Sequence, residues 1–170
     1  MSATDPLEPP DTHRLSAAVG WLELGNLAEA KAELDAISPA FQWFPDVLEV
    51  RWLLCAEQKE WPEAVAAARA LLHYAPERAS GWLHCAYAVR RMAEGGLQKA
   101  WEALRPAFEK FPDEPIIAYN LSCYACQLNR LVEAREWFQR ALAIGDKVKI
   151  KQMALADTDL KPLWGEIRET

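Results

Sequence analysis

Leu128-Asn-Arg-Leu-Val-Glu-Ala134 is one of four related stretches in this chain. The other three are Leu24-Gly-Asn-Leu-Ala-Glu-Ala30, Gln58-Lys-Glu-Trp-Pro-Glu-Ala64 and Glu94-Gly-Gly-Leu-Gln-Lys-Ala100. Their final alanines are 34, 36 and 34 residues apart. Each alanine follows a large apolar side chain by three residues and precedes another apolar residue by four, which is the spacing of one helical face. The sequence therefore predicts four repeated units, each with a helix beginning in this stretch.

A second helical run precedes each of these stretches. The predicted runs are 14–24, 46–57, 80–93 and 115–128. Pro39, Pro76 and Pro112 close the first three units, because proline lacks the amide hydrogen that a helix needs to continue. The fourth unit ends at Gly145. Each unit is therefore predicted to be a helix, a tight turn and a second helix.

A period of about 34 residues with two helices per unit resembles the tetratricopeptide repeat (TPR) family. The best matches to the family pattern are residues 118–134 with Phe138, Ala141 and Leu142, and residues 82–112. Small residues stand where paired helices approach each other in three units, at Ala18, Ala86 and Ser122. The second unit departs from the pattern, with Trp52 at that position and Arg51 before it, so we expect its helix pair to be splayed or rotated.

The resemblance implies an all-α fold, a right-handed superhelical α-solenoid of about four units followed by C-terminal capping helices. We predict a disordered lead over 1–11, repeats at 12–44, 45–78, 79–114 and 115–146, and a cap over 147–170. The ending Met153–Trp164 is also similar to that of a group of bacterial repeat proteins. A cap is expected because the last repeat would otherwise expose its stacking face to water. Leu160, Leu163, Trp164 and Ile167 would form its apolar side.

Composition and charge exclude several classes of function. The 170 residues carry a formal net charge of −6, which disfavours nucleic acid as a partner, because binding to phosphate backbones needs Lys and Arg. No apolar stretch approaches the roughly 18 to 20 residues of a membrane span, and no secretory signal is visible at the N-terminus. We therefore expect a soluble, cytoplasmic protein with no membrane partner.

Neither the cysteines nor the histidines predict chemistry. The four cysteines fall inside helical patterns, so reduced thiols are expected. Cys123 and Cys126 are spaced to share a helix face near His84, but four ligands at zinc spacing are lacking. No nucleophile motif and no glycine-rich loop after a strand is present. The sequence predicts no enzyme, no cofactor and no metal site.

The first helix of each unit should line a concave groove, so a partner should meet first-helix residues that lie off the packing stripe. Tyr and Arg commonly dominate interface energies, and Tyr87 and Tyr119 beside Arg90 and Arg91 favour a segment with an acidic anchor. The alternative is that the tyrosines pack between repeats while the arginines lie in solvent or pair with Glu94. The predicted partner-binding residues are Leu15, Val19, Glu49, Leu53, Leu83, His84, Tyr87, Arg90, Arg91, Tyr119, Asn120, Cys123 and Gln127.

These observations lead to one functional hypothesis with two alternatives. We expect an adaptor or scaffold module that binds a peptide or helical segment of another protein in the groove, as a monomer or weak homodimer. One alternative is a small secretion chaperone of the TPR type. The other is a structural protein that self-associates through Phe41, Trp43 and Phe44, although burial of this cluster between the first two units is favoured.

Overall fold

The computed structural model describes residues 6–169, and over this range the chain contains α-helices, two short 3-10 turns and no β-strand. The 3-10 turns span Pro39–Phe41 and Thr158–Leu163. The helices are α1 Asp11–Glu23, α2 Leu27–Asp35, α3 Pro45–Gln58, α4 Trp61–Tyr74, α5 Ala79–Arg91, α6 Leu97–Leu104, α7 Ala107–Lys110, α8 Pro115–Gln127, α9 Leu131–Ile144, α10 Lys147–Ala156 and α11 Trp164–Glu169. This confirms the predicted all-α helical-repeat class.

The second helix of every unit begins at the apolar residue predicted from the repeat. Leu27, Trp61, Leu97 and Leu131 are the first residues of α2, α4, α6 and α9. The Asn26 side chain accepts a hydrogen bond from the Glu29 amide and so caps α2. Local sequence signals therefore set these helix starts.

The turns inside three units share a left-handed backbone residue. Gly25, Lys59 and Asn129 have φ values of 72°, 59° and 60°. Glycine adopts this conformation freely and asparagine tolerates it, whereas a lysine side chain crowds the backbone there. The same turn is therefore strained in the second unit.

The chain divides into two compact units, Met1–Ala88 and Val89–Thr170. In unit 1, α1 packs on α2 and α3 packs on α4. A core cluster links the first two helix pairs, and Leu7, just before α1, also contacts it. Asp11 is 4% exposed and its carboxylate accepts a hydrogen bond from the Ser38 amide at 2.9 Å. Of the predicted disordered lead, residues 1–5 lie outside the described residues.

In unit 2, α8 packs on both α9 and the 3-10 turn Thr158–Leu163. Ser122 is fully buried between α8 and α9 and donates a hydrogen bond to the Ala134 carbonyl, as a small residue at this position allows. Leu160, Leu163 and Ile167 are each at most 3% exposed. The C-terminal segment thus buries three of the four residues predicted for its apolar side, and the fourth, Trp164, is half-buried.

The third unit carries a helix break that the sequence analysis missed. Its second helix is divided into α6 and α7, with Pro106 between them. Proline has no amide hydrogen to continue the helix ladder, so the break follows from the sequence. The longer turn of this unit needs its two glycines, because a Cβ on Gly95 would lie 1.7 Å from the Val89 carbonyl oxygen and Gly96 has φ 104°.

Candidate functional site

Three large apolar side chains remain exposed at equivalent positions of three successive first helices. Val19 of α1, Leu53 of α3 and Tyr87 of α5 follow one another at 34-residue intervals and are 37%, 45% and 39% exposed. All three belong to unit 1. We call these three residues the apolar row. An exposed apolar residue by itself is ordinary, whereas exposure at the same position of three repeats is a pattern.

Residues on either side of the apolar row set its surroundings. One helical turn before it lie Leu15, Glu49 and Leu83, all half-buried. One turn after Val19 and Leu53 lie Glu23 and Glu57, both exposed. Neither of these two glutamates forms an ion pair within residues 6–169. The apolar row is therefore bordered by acidic side chains on α1 and α3.

Aromatic packing holds one end of the row in place. The Trp52 ring stacks on the His84 ring with centroids 3.9 Å apart and meets Tyr87 edge-on at 5.7 Å. Trp61 lies 6.2 Å from Tyr87 on another side. Trp52 is 7% exposed, so the large side chain at this position is directed toward α5. Tyr87 is therefore supported by two tryptophans while part of its ring meets solvent.

Glu49 lies at the centre of a polar network beside these rings. Its carboxylate is 2.6 Å from His84 Nε2, accepts a hydrogen bond from the Ser80 hydroxyl, and lies 4.0 Å from the Arg78 guanidinium. Burial opposes ionisation of this carboxyl, but the hydrogen bonds from His84 and Ser80 outweigh it and lower the pKa of Glu49. The charged carboxylate thus fixes the orientation of the His84 ring that stacks on Trp52.

The equivalent face in unit 2 is covered by the chain's own C-terminal segment. Tyr119 and Cys123 are 5% and 3% exposed. The Tyr119 hydroxyl donates to Asp157 Oδ2 at 3.0 Å, and the Cys123 thiol donates to the same oxygen at 3.5 Å. Burial, followed by the Asp157 carboxylate, raises the pKa of Cys123 well above its ordinary value. These two predicted partner-binding side chains already have an intramolecular partner.

Asp159 of the same segment contacts two more of the predicted partner-binding residues. The Arg90 guanidinium forms a two-pronged ion pair with its carboxylate, and the Gln127 amide donates to its backbone carbonyl at 2.8 Å. The alternative that Arg90 lies in solvent or pairs with Glu94 is therefore wrong, because its partner is Asp159. The predicted acidic anchor of a partner corresponds here to an aspartate of the same chain. Of the remaining candidates in this unit, Asn120 is half-buried and donates to the Ile116 carbonyl, whereas Arg91 is exposed.

The structure divides the predicted aromatic cluster around residue 43. Phe41 and Phe44 pack against the core of unit 1, as favoured by the sequence analysis. Trp43 is 55% exposed and stacks on Tyr74 with centroids 5.8 Å apart.

No group of three His, Cys, Asp or Glu side chains suited to a metal ion occurs within residues 6–169. All four cysteines are buried thiols.

Sequence reasoning missed four residues of these two faces. Trp52 and Trp61 were assigned to packing, and their contact with Tyr87 joins residues 26 or more positions apart. Asp157 and Asp159 were assigned to the cap. The two aspartates flanking Thr158 were the available signal, but only the folded chain brings Asp157 beside Tyr119 and Cys123.

Comparison with solved structures places the fold among known proteins. No family model matches the chain, and no curated protein matches it. Among solved structures, the crystal structure of a thermophilic TPR protein from Thermus thermophilus is similar, with a TM-score of 0.71 and 17% sequence identity. The match covers 92% of this chain and 82% of the other. Within residues 6–169, every helix is too short or too polar to span a membrane. The chain therefore has the fold of the tetratricopeptide-repeat proteins, as the period of its sequence predicted.

Proposed function

We propose that this protein is a non-catalytic interaction module that docks a segment of a partner protein on the apolar row of unit 1. The observation that carries the proposal is the exposure of Val19, Leu53 and Tyr87 at the same position of three successive repeats. Helical-repeat proteins commonly bind partners along surfaces built from equivalent positions of successive units. A cytoplasmic location and a monomeric or weakly dimeric state belong to the same proposal.

The spacing of the row indicates what kind of segment it accommodates. The axes of packed helices are about 8–10 Å apart, which is the expected interval between neighbouring apolar contacts. A polyproline II segment covers about 9 Å in one three-residue turn, and an α-helix covers about 10 Å in seven residues, so both bring a side chain back to the same face at about this interval. The partner segment should therefore present apolar side chains at one of these two intervals.

The charges beside the row favour a partner with basic residues. Glu23 and Glu57 are exposed one turn beyond Val19 and Leu53, and no cation of this chain pairs with them within residues 6–169. Opposite charges across an interface increase the association rate and fix the orientation of the partner. The proposed partner segment thus carries Lys or Arg next to its apolar side chains, rather than the acidic anchor expected from Arg90 and Arg91.

Tyr87 is the best candidate for the dominant contact. Its ring is held by Trp52 and Trp61, so little conformational entropy is lost when a partner covers it. Supported aromatic side chains near the centre of an interface often carry most of the binding energy. The polar network of Glu49 and His84 would keep the supporting Trp52 ring in place during binding.

The proposal is tested by affinity capture from the native cells, with wild-type protein beside Leu53→Lys and Tyr87→Ala variants. Val132→Lys is the matched control, because Val132 is 69% exposed on α9, outside the row. Loss of a contact of this class should weaken capture by roughly 30-fold or more, whereas the control should behave as wild type. Equal capture by the row variants and by wild type would contradict the proposal.

Further measurements distinguish the two alternatives from this proposal. A secretion chaperone would bind an apolar export segment, so a synthetic apolar peptide lacking Lys and Arg should then bind as well as a basic one. Self-association through the exposed Trp43 would appear in a concentration series by light scattering and disappear in a Trp43→Ala variant. Neither alternative predicts sensitivity to Glu57→Lys, whereas docking of a basic segment does.

A further inference from the structure

Unit 1 contains a cleft that shares none of the residues of the apolar row. Its volume is about 690 Å³, within the roughly 300–1,000 Å³ range of small-molecule sites. Arg51, Leu54, Cys55 and Gln58 of α3 form the floor at intervals of three and four residues, so one face of this helix lines the cleft while Leu53 points away from it. The walls come from α2 and α4.

The sequence explains why this space is open. Ala66 and Ala67 line the cleft from α4 and extend only methyl groups into it. Arg51 stands where the repeat pattern has an apolar residue, and its guanidinium is drawn to the end of α2. There it bonds to Asp35, to the Leu34 carbonyl and to Gln42. The side chain that would fill the cleft is therefore held against one wall.

The rim of the cleft carries unbalanced charge. On one side, Lys31 and Arg51 both pair with Asp35. On the other side, Glu60 and Glu63 have no ion pair within residues 6–169. Burial raises the pKa of the Cys55 thiol on the floor, Glu60 and Glu63 raise it further, and Arg51 and Lys31 lower it by less, so the carboxylates outweigh the two cations at this point of the cleft. A positive charge placed there would be attracted.

Most of the remaining surface of the cleft is apolar. Leu48, Leu54 and Cys55 are each at most 8% exposed, so the floor is densely packed beneath them. The Trp43 ring closes one part of the lining and is kept there by stacking on Tyr74. A hydrocarbon body lying in the cleft would remove its own surface and that of Trp43 and Ala66 from water, at about 25 cal/mol per Å² of apolar surface.

We propose that this cleft is a binding site for a small organic cation, with an ammonium head beside Glu60 and Glu63 and an apolar body lying over Leu54 and Cys55. The cleft complements such a molecule in both charge and polarity. An anionic amphiphile of the same length would find the cations of the lining, Lys31 and Arg51, already paired with Asp35 and should bind more weakly. The site uses other residues than the apolar row, so it stands independently of the proposed protein docking.

Isothermal titration calorimetry with three probes of one chain length tests the site: octylammonium, octanol and octanoate. We expect octylammonium to bind most tightly and octanoate most weakly. In a Glu60→Gln, Glu63→Gln variant, affinity for octylammonium should fall by roughly three- to tenfold, toward that for octanol. A Glu136→Gln, Glu169→Gln variant removes the same charge from exposed positions elsewhere and should bind as wild type does.

A second variant tests the space and not the charge. Ala66 is exposed on the wall, so Ala66→Trp should fill the cleft without disturbing the core, which circular dichroism and thermal unfolding would verify. Binding of all three probes should then be lost, while Leu53→Lys should leave it unchanged. Absence of octylammonium binding, equal binding of octanoate, or unchanged binding by a folded Ala66→Trp variant would each overturn the proposal.

Discussion

In unit 1 the apolar row on α1, α3 and α5 meets solvent, whereas in unit 2 the equivalent Cys123 lies beneath Asp157. The two faces derive from the same repeat and differ in what covers them. In unit 2 the segment from Asp157 to Leu163 supplies two carboxylates and two buried leucines to α8 and its surroundings. The covered face of unit 2 thus shows which contacts the exposed face of unit 1 lacks, namely buried apolar side chains and opposite charges from a covering segment.

The largest expected effect is a difference in stability between a residue of the covering segment in unit 2 and a residue of the exposed apolar row in unit 1. Leu160 is fully buried in unit 2, so Leu160→Ala should lower the free energy of unfolding by about 2–5 kcal/mol. Leu53→Ala on the apolar row should cost less than about 1 kcal/mol, because almost half of that side chain is already in water. Urea unfolding followed by circular dichroism measures both. Similar losses for the two variants would mean that the faces do not differ in this way.

The polar contacts of the cover should contribute less than its leucines. Asp159→Asn keeps the shape of the side chain but removes the charge that pairs with Arg90, both side chains being about one-fifth exposed. We expect a loss of about 1–3 kcal/mol, since a partly buried guanidinium is left without its counterion. Asp113→Asn changes an exposed aspartate of the same unit and serves as the control, with no measurable loss expected. If the Asp159→Asn variant is as stable as the control, only the apolar side chains of the C-terminal segment contribute to its stability.

The corresponding charge of the open face is Glu49, whose effect should depend on pH. The pKa of this carboxyl is lower in the folded protein than its ordinary value of 4.5, so the folded state favours its ionised form. The stability from this group is therefore present above about pH 4.5 and is lost as the pH falls through the folded pKa. Glu49→Gln should be less stable than wild type at pH 7, by about 1 kcal/mol, and should lose less stability on acidification. Parallel pH profiles of thermal unfolding would contradict this assignment.

The smallest expected effect compares the turns of the two units. Lys59 in unit 1 and Asn129 in unit 2 have nearly the same left-handed backbone conformation. Lys59→Gly should stabilise the protein by about 0.5–1 kcal/mol, because glycine removes the crowding of the lysine Cβ. Asn129→Gly should change stability less, since asparagine tolerates this conformation. The melting temperatures of the two variants measure the difference, and a destabilised Lys59→Gly variant would show that the lysine side chain contributes contacts that outweigh the strain.

Much of the fold could be read from local signals. The starts of α2, α4, α6 and α9 fall on the predicted apolar residues, and α10 begins at Lys147, the first residue of the predicted cap. Pro106 carried an equally local signal that the sequence analysis overlooked. These features depend on neighbours within about one helical turn, so periodicity and proline positions suffice to predict them.

The candidate site was predicted less completely, for a physical reason. The sequence placed Leu53 and Tyr119 among the partner-binding residues by the same off-stripe reasoning, and nothing within a helical turn of either one distinguishes them. The hydrogen bond from Tyr119 to Asp157 joins residues 38 positions apart, and the stacking of Trp52 on His84 joins residues 32 apart. Which of two similar faces is covered depends on such distant contacts.

By itself the sequence determined the repeat period, the all-α class and the apolar side of the last helices, because helical periodicity and chain breaks are properties of neighbouring residues. Only the tertiary structure decided that the face of unit 2 is covered while the row of Val19, Leu53 and Tyr87 stays open. It also decided that Asp35 and Leu34 hold the Arg51 guanidinium at one wall of the cleft beside Cys55, since a side chain's final partners are set by packing and charge between segments that are distant in the chain.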